Sequence, residues 1–189
     1  MNIDAHTITS WLEEESDPLK LAVLATVDEK GIPHTRVVGI REINEWTLTF
    51  FTQKGSSKVK QIALNNQVSI TLILFEKRRQ ITYEGIAVPL TDQENQHYWK
   101  TYSKESQIRF TVYGPESGNL ITDSTKLDEQ LIEGQKKYKD HAPEKPEAYV
   151  GYRIEPSQIK LYQFNSDTIS DSYIGEKIES KWTFKKVAP

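Results

Sequence analysis

Cysteine is absent from the 189 residues of this chain. Its absence excludes disulfide bonds, thiolate metal sites and cysteine nucleophiles together. The four histidines are scattered without the spacing of metal ligands, so we expect no metal site. The chain also lacks a large excess of charge of either sign. The formal net charge is only -3, which argues against a general nucleic-acid binder.

Long apolar runs are also missing. No stretch approaches the roughly 20 apolar residues of a membrane-spanning helix. The first residues, MNIDAHTITSWLEEESD, lack the basic-then-apolar pattern of a signal peptide. We therefore expect a cytoplasmic protein without a membrane segment. With 37% hydrophobic and 27% charged residues, the composition is that of a globular protein, and the length predicts a single domain over residues 1–189.

Strand-like segments dominate the first half of the chain and come as hairpins. The runs KLAVLATVD and PHTRVVGIREI flank the turn DEKG, and QVSITLILF and RQITYEGIAVPL flank EKRR. Between the hairpins, WTLTFFT predicts a further strand. Near the C-terminus, AYVGYRIEP, SQIKLYQF and KWTFKKV are strand-like as well.

Helical spacing interrupts these strands in four places: ITSWLEEES, SKVKQIALNN, TDQENQHYWKTYSKESQIRF and TKLDEQLIEGQKKYKD. Thr91 or Asp92 is the expected N-cap of the third helix, and Leu127, Leu131 and Ile132 form the apolar stripe of the fourth. Hairpins without regular βαβ crossovers predict a mainly β (α+β) fold, an antiparallel barrel with flanking helices. No G-x-G-x-x-G motif supports a Rossmann domain.

One short stretch, FFTQKGSSKVKQI, gathers small residues, hydroxyl groups and lysines where a strand ends and a helix begins. The first N–H groups of a helix have no intrahelical partner, and the helix dipole is positive there, so such a turn suits a phosphate. Gly55 would permit backbone conformations closed to other residues. The alternative interpretation is a capped surface helix with solvated lysines.

Two further segments bear on that choice. Arg36 and Arg41 lie on a strand otherwise suited to a core, where an arginine needs a partner because its charge is costly to remove from water. Gln80 enters a later strand and offers both a donor and an acceptor to the polar edge of a heterocycle. The basic residues of the neighbouring turn, Lys77 to Arg79, are expected to face water.

Taken together, TRVVGIR, FFTQKGSSKVKQI, RRQITYEG and YWKTYSKESQI, in this order and at these separations, resemble the pyridoxamine 5'-phosphate oxidase family. The similarity extends from LAVLATVDEKG to the final KWTFKKVAP. It implies an FMN-binding split β-barrel that works as a homodimer, with the flavin at the subunit interface.

The resemblance also implies the cofactor contacts. Arg36 matches the family's flavin-contacting arginine, and Val37, Val38, Gly39, Ile40 and Arg41 match the rest of that motif. Phe51 and Thr52 match its aromatic-threonine pair, Lys58 its phosphate lysine and Gln80 its flavin-ring glutamine. Ser57 stands where a second basic residue is usual, and Tyr162 where the family carries a tryptophan. Ser117 is a weaker match to a serine given by the other subunit.

The expected substrate contacts depart from the family. Arg41, Tyr98 and Ser106 match residues that bind the phosphate of the vitamin, whereas Tyr102 replaces an arginine. The late Arg-x-His motif is replaced by Thr168, Ile169 and Ser170, and Ser172 stands at a further arginine. An N-terminal arginine-containing lid segment has no counterpart in MNIDAHTITSW.

The resemblance implies an FMN-dependent oxidase that transfers a hydride from a small-molecule substrate to the flavin. Pyridoxine or pyridoxamine 5'-phosphate is the first candidate substrate. No catalytic residue is assigned, because the flavin carries the difficult chemistry. Two alternatives stay open: a flavin-dependent reductase of another planar ligand, and an FMN-binding module without turnover.

Overall fold

The computed structural model describes residues 3–15, 20–44, 46–123, 125–179 and 181–189. Its helices and strands, in chain order, are α1 (Ala5–Glu13), β1 (Leu21–Val27), β2 (Pro33–Asn44), β3 (Thr47–Gln53), α2 (Ser57–Leu64), β4 (Gln67–Leu74), β5 (Arg79–Pro89), α3 (Asp92–Lys100), α4 (Lys104–Tyr113), α5 (Thr125–Lys137), β6 (Tyr149–Gln163), β7 (Asp171–Ile178) and β8 (Lys181–Val187).

The strands form one sheet in the order β3-β2-β1-β4-β5-β6-β7-β8. A further pairing between β3 and β6 closes the first six of these into an antiparallel β-barrel, and β7 and β8 continue the sheet beyond it. The predicted mainly β barrel with flanking helices is therefore confirmed.

The barrel closes around a core supplied by alternate residues of each strand. In β1, for example, Ala22 and Leu24 are buried while Leu21 and Val23 are exposed. Strands turn successive side chains to opposite faces, so one set fills the interior and the other points outward. The largest fully buried side chains of this core are Leu24, Leu48, Phe50, Ile70, Leu72, Ile81, Tyr83, Ile154, Ile159 and Leu161.

The chain divides into two compact units. The first comprises Met1–Phe50, Gln61–Val88 and Tyr152–Pro189 and contains the barrel core; the second comprises Phe51–Lys60 and Pro89–Gly151. In the second unit, the buried Asn95 amide donates to the carbonyl oxygens of Leu90 and Thr91 and accepts from the N–H of Gly151. The expectation of one domain over residues 1–189 stays a prediction.

The third predicted helix is in fact two helices. Thr91 caps α3 as expected, through a capping box with Glu94, but the chain leaves the helical path after Lys100. Ser103 then caps α4, its hydroxyl accepting from the N–H of Ser106 at 3.2 Å. Serine competes for backbone hydrogen bonds in this way, and so favours caps over helix interiors.

The stripe predicted for α5 is also partly wrong. Leu127 and Leu131 are half-buried, but Ile132 is 49% exposed, and the buried position of this helix is Gly134. A Cβ on Gly134 would lie 2.6 Å from a methyl group of Val112 on α4. The close approach of α5 to α4 is therefore made by a residue that carries no apolar side chain.

The C-terminal strands differ from the prediction in two ways. AYVGYRIEP and SQIKLYQF form the single strand β6, which runs through Pro156. Strand β7 was not predicted at all, because DSYIGEKI has neither a strong apolar alternation nor a run of β-branched residues. It is held in place by pairing with β6 and β8 on its two sides.

Across the parts of the chain described above, no helix combines the length and the apolar character needed to cross a bilayer. The cytoplasmic location stays a prediction.

Gly85 allows β5 to approach the backbone of β6. A Cβ at this position would collide with the carbonyl oxygen of Glu155 and would lie 2.5 Å from Cα of Pro156. Gly85→Ala should lower the free energy of unfolding by about 1–3 kcal/mol, the usual cost of overpacking a well-packed site. Urea unfolding measures the change.

Gly39→Ala is the matched control, because a Cβ on this strand glycine would meet no atom within 4 Å. Equal destabilisation by the two substitutions would show that the close approach at Gly85 does not limit stability.

Candidate functional site

Hydroxyl groups and the ammonium group of Lys58 come together at the turn between β3 and α2. The N–H of Ser56 donates to the carbonyl oxygen of Gln53 at 3.0 Å, which closes the turn. Lys58 Nζ donates to Thr52 Oγ1 at 3.0 Å, and the hydroxyls of Thr52 and Ser56 are 3.4 Å apart. Thr52 and Ser56 are buried. The ammonium group is thus held beside the start of α2, where the helix dipole favours an anion.

Gly55 contributes space to this turn and no special backbone geometry. Its φ is not in the left-handed region, unlike that of Gly31 and Gly118, so the prediction of a backbone conformation open only to glycine is wrong here. A Cβ there would meet no atom within 4 Å. Ser57 begins α2 with an exposed side chain. The turn therefore has room above it, with the charge of Lys58 at one side.

Arg36 is held in the first unit by a partner that the sequence did not reveal. Its Nη2 donates to Gln61 Oε1 at 2.8 Å, and its Nη1 donates to the carbonyl oxygen of Leu24 at 3.1 Å. The same Gln61 oxygen accepts from the buried hydroxyl of Thr26 at 2.6 Å. Burial lowers the pKa of the Arg36 guanidinium from its ordinary value, yet two neutral acceptors hold the group in place.

Gln61 is the functional candidate that sequence reasoning missed. It is 8% exposed and lies in α2, for which the sequence predicted only a helix. A polar residue beside Ile62 on the same buried helix face was the available signal. Since a buried amide needs partners, Gln61 pointed to a polar group across from it.

The outward face of β2, β1 and β4 is apolar and open. The strand pairing sets Val37 beside Val23 in one row and Gly39 beside Leu21 in the next. Val37 is 61% exposed. Ile73 of β4 is also exposed, and a depression of about 300 Å³ lies on this face. We call it the outer sheet face, defined by Leu21, Val23, Val37, Gly39 and Ile73.

Gln80 borders the outer sheet face and pairs with Ile73 across β4 and β5. Its Nε2 donates to Thr82 Oγ1 at 3.1 Å, and Thr82 shares a 3.0 Å hydrogen bond with Thr71. This chain of hydrogen bonds fixes the Gln80 amide beside apolar surface. Such an amide suits the polar edge of a planar ring.

The remaining residues of the TRVVGIR motif lie on both faces of β2. Val38 points into the core and is 7% exposed, so its side chain is not available to a ligand. Arg41 lies where the pairing register of β2 and β3 shifts between Ile40 and Glu42, and irregularities of this kind re-aim side chains. It lines a depression of about 330 Å³ together with residues of α1, including Ile8 and Leu12.

Aromatic rings surround Phe51 in the second unit. Phe51 stacks on Tyr149 with centroids 4.8 Å apart, and Tyr98 lies 5.0 Å away. Tyr102 meets Phe51 edge-on at 6.3 Å. Gly151 makes room, because a Cβ there would strike the Phe51 ring. Tyr102, in the place of the family's arginine, therefore adds an aromatic edge to this cluster and no positive charge.

Ser106 belongs to the same unit as Tyr98, whereas Arg41 belongs to the first unit. The Ser106 hydroxyl accepts a hydrogen bond from Ser103 Oγ at 3.1 Å and lies on the exposed first turn of α4. Ser117 is exposed and follows the 3-10 turn Gly114–Glu116. The substrate roles of Arg41, Tyr98 and Ser106 stay predictions.

The segment that stands where the resemblance leads us to expect an Arg-x-His motif is a loop held by its own hydrogen bonds. Asn165 donates from its backbone to Ser170 Oγ and from its side chain to the carbonyl oxygen of Ile169, both at 3.3 Å. Ile169 is 79% exposed. Tyr162, at the end of β6, meets Phe164 edge-on at 4.7 Å. Neither the loop nor its neighbour Ser172 carries a positive charge.

Arg79 does not face water as the sequence suggested. Its Nη1 donates to Glu14 at 2.9 Å, its guanidinium lies 4.7 Å from the Trp11 ring centroid, and its side chain is only 14% exposed. The arginine thus ties β5 to α1. Lys77 of the same turn is exposed.

Comparison with known proteins agrees with this architecture. A family model described as pyridoxamine 5'-phosphate oxidase matches residues 12–162. The pyridoxine/pyridoxamine 5'-phosphate oxidase of Vibrio cholerae is 30% identical over 184 residues, which are 95% of this chain and 86% of the relative. Its counterpart from Shewanella amazonensis is 31% identical, over 95% of this chain and 85% of the relative.

Two solved structures share the fold. PhzG from Burkholderia lata, in complex with tetrahydrophenazine-1-carboxylic acid, superposes with a TM-score of 0.81 at 24% identity, covering 96% of this chain and 88% of that one. A pyridoxamine 5'-phosphate oxidase-related, FMN binding protein from Nostoc punctiforme gives 0.79 at 17% identity, covering 97% and 96%. The family model and the relatives confirm the resemblance, and the chain therefore belongs to the pyridoxamine 5'-phosphate oxidase family.

Proposed function

We propose that the protein binds FMN and acts as a homodimeric oxidoreductase on a small planar substrate. The observation that carries the proposal is the turn before α2, where Lys58 is fixed by Thr52 beside a helix start with open space above Gly55. A phosphate needs convergent donors and a cation, and this turn supplies both. Membership of the family supports the same cofactor.

Each unit, taken by itself, has residues that suit one end of FMN. On the second unit, the Ser56 and Ser57 region and Lys58 would hold the phosphate. On the first unit, the outer sheet face offers apolar surface for a flat ring, and Gln80 offers an oriented amide to its polar edge. Arg36, held by Gln61, supplies a positive charge of fixed position.

Bound FMN would supply the acceptor for a hydride from a substrate C–H bond. The protein's part is to bind, to orient and to exclude water. Phe51, Tyr98 and Tyr102 offer aromatic surface to a planar substrate. The Thr168–Ser170 loop has no side chain that ionises near neutral pH, so it offers no general acid or base. We propose pyridoxine or pyridoxamine 5'-phosphate as the first substrate class.

A second candidate function has its own observation. The loop around Ile169 contains an acidic residue, Asp167, and lacks the basic residues that the resemblance places over the vitamin ring. This favours either a flavin-dependent reductase of another planar ligand, with electrons from a nicotinamide, or a binding module without turnover.

The homodimer is also a proposal. Exposed apolar side chains on the outer sheet face form neighbouring rows on paired strands, as Val37, Val23 and Leu21 do. Contiguous exposed apolar surface of this kind marks interaction sites. A second copy related by a two-fold axis would cover the part of this surface that the ring leaves open.

The cofactor proposal predicts a yellow protein after incubation with FMN and removal of the excess. Lys58→Ala should weaken FMN binding by about 1–3 kcal/mol, the scale for losing a hydrogen bond to a charged group. Fluorescence titration of released and rebound flavin measures the dissociation constant.

Lys77→Ala is the matched control, because this lysine is exposed on the β4–β5 turn and should change FMN affinity very little. Equal losses for the two variants would show that the turn before α2 is an ordinary capped loop. A protein that stays colourless with excess FMN would refute the cofactor assignment altogether.

The substrate proposal predicts that pyridoxal 5'-phosphate binds, because Arg41, Tyr98 and Ser106 keep three of the phosphate contacts implied by the resemblance. Oxidation of pyridoxine 5'-phosphate should be much slower than is usual in the family, since contacts over the ring are lost and hydride transfer requires close alignment. Anaerobic flavin bleaching by each candidate reductant measures the rate.

The outcomes separate the candidates. Rapid bleaching by pyridoxine 5'-phosphate would show that other residues replace the lost pair. Bleaching only by a reduced nicotinamide would assign the protein to the reductases, and no bleaching or binding by any candidate would favour the binding module.

The dimer proposal predicts a particle of twice the 21.8 kDa chain mass in sedimentation equilibrium. Val37→Asp should shift the protein towards the monomer, because a two-fold interface would bury the unpaired charge twice. Leu120→Asp is the control: Leu120 is 91% exposed and lies outside the outer sheet face. A wild-type monomer that binds FMN tightly, or an unchanged dimer in Val37→Asp, would contradict the proposed interface.

A further inference from the structure

A further cleft on the first unit shares no residue with the groups assigned above. It has a volume of about 570 Å³ and lies where the β2–β3 turn, the middle of β6 and the β7–β8 hairpin meet. We call it the tryptophan cleft; it is lined by Asn44, Trp46, Thr47, Glu155, Pro156, Lys177 and Trp182. Its size is within the usual range for small-molecule sites.

Aromatic rings form one wall of the tryptophan cleft. The Trp46 and Trp182 rings are stacked, with centroids 5.3 Å apart and planes 29° apart. Phe184 supports them, 6.0 Å from Trp46. All three side chains are half-buried, so each keeps part of its surface open to solvent.

The aromatic wall is fixed in place by the backbone of the neighbouring strand. Gly175 of β7 pairs with Phe184 of β8, and a Cβ on Gly175 would lie only 2.5 Å from the tip of the Phe184 ring. The missing side chain lets that ring lie over the strand and support the tryptophans. A wall of this kind is ordered before any ligand arrives, which lowers the entropy lost on binding.

The polar rim of the tryptophan cleft has unused hydrogen-bonding capacity. The side chains of Asn44, Glu155 and Lys177 are exposed, and none makes a hydrogen bond or ion pair with any residue that the structure describes. Asn44 offers a donor and an acceptor, Glu155 offers acceptors, and Lys177 offers a cation. Lys177 pairs directly with Trp182 across the β7–β8 hairpin, so the cation adjoins the aromatic wall.

These features select one class of ligand. Stacked indole rings favour a flat π system, and an amide beside a carboxylate suits the alternating donors and acceptors on the edge of a purine. A nearby lysine suits a phosphate. We propose that the tryptophan cleft binds a purine nucleotide, with the base on the tryptophan wall, the base edge at Asn44 and Glu155, and the phosphate at Lys177.

Isothermal titration calorimetry with AMP and GMP tests the proposal, on the full chain in the presence of saturating FMN. Adenosine and ribose 5-phosphate dissect the ligand, since the first lacks the phosphate and the second lacks the base. We expect at least one nucleotide to bind, and each fragment to bind more weakly than AMP or GMP.

Two pairs of variants assign the binding to the cleft. Trp182→Leu should weaken nucleotide binding by about fivefold or more, the lower end of the effect of losing a base-stacking ring, whereas Trp182→Phe should retain most of it. Lys177→Gln should weaken AMP and leave adenosine unchanged. Lys181→Gln, on the same hairpin but outside the cleft, should change neither.

Lys58→Ala separates this site from the proposed cofactor site, because AMP carries a phosphate that the turn before α2 could also take. AMP affinity should be unchanged in that variant. A loss in Lys58→Ala with none in Trp182→Leu would place the nucleotide at the turn and overturn the proposal.

Two other results would also overturn it. One is the absence of heat from AMP and GMP at millimolar concentration in a wild-type protein that is folded by circular dichroism. The other is wild-type self-association that Trp182→Leu abolishes, since the occupant of the cleft would then be a second copy of the chain.

Discussion

The side-chain alternation of the barrel strands is the constraint on which the rest of the structure depends. Each strand must give one face to the interior, and Leu24, Ile70 and Ile81 fill it. The opposite face of the same strands is then free for other tasks. On β1 and β2 that face carries the exposed apolar side chains of Leu21, Val23 and Val37, although polar side chains there would leave the core unchanged. An outward face with exposed apolar side chains calls for a partner, which is why both the proposed contact with a cofactor ring and the proposed dimer interface lie on the outer sheet face.

The same alternation also places one charged side chain, that of Arg36, on the interior side of the sheet. Arg36 pairs with Leu24 on β1 and points to the interior side of the sheet, where an unsolvated guanidinium would be costly. Gln61 solves this through one oxygen that accepts from both Arg36 and Thr26. Because a neutral acceptor does not cancel the charge, the arginine keeps its attraction for an anion while its position is fixed. A carboxylate in the place of Gln61 would fix the position equally well but remove much of that attraction.

Local signals in the sequence were sufficient for the hairpins, the barrel and the turn before α2, because these depend on patterns of neighbours along the chain. The errors have long-range causes. Strand β7 has a weak pattern of its own and is specified by its two neighbours in the sheet. Gln61 is meaningful only beside Arg36, which lies 25 residues away in the chain. The Trp46–Trp182 stack joins residues from distant segments, so no window along the sequence could have shown it. The local structure around Lys58 is predictable because one turn holds it, whereas contacts that the fold assembles, such as that of Gln61 with Arg36, are much less so.

The proposed cofactor site and the proposed substrate site differ in how far they keep the charged groups implied by the family. The turn before α2 combines the buried hydroxyls of Thr52 and Ser56 with a lysine held by Thr52, an arrangement that suits the proposed phosphate site. The replaced Arg-x-His segment, by contrast, satisfies its own hydrogen bonds through Asn165 and presents an exposed isoleucine. Tyr102 likewise exchanges a charge for an aromatic edge next to Phe51. If the substrate lies against these residues, both exchanges would lower the ionic contribution to its binding, since an aromatic ring offers surface contact and not ionic pairing. The cofactor contacts implied by the family are thus better kept in this chain than the substrate contacts, which is the reason to expect slow oxidation of the proposed substrate, pyridoxine 5'-phosphate.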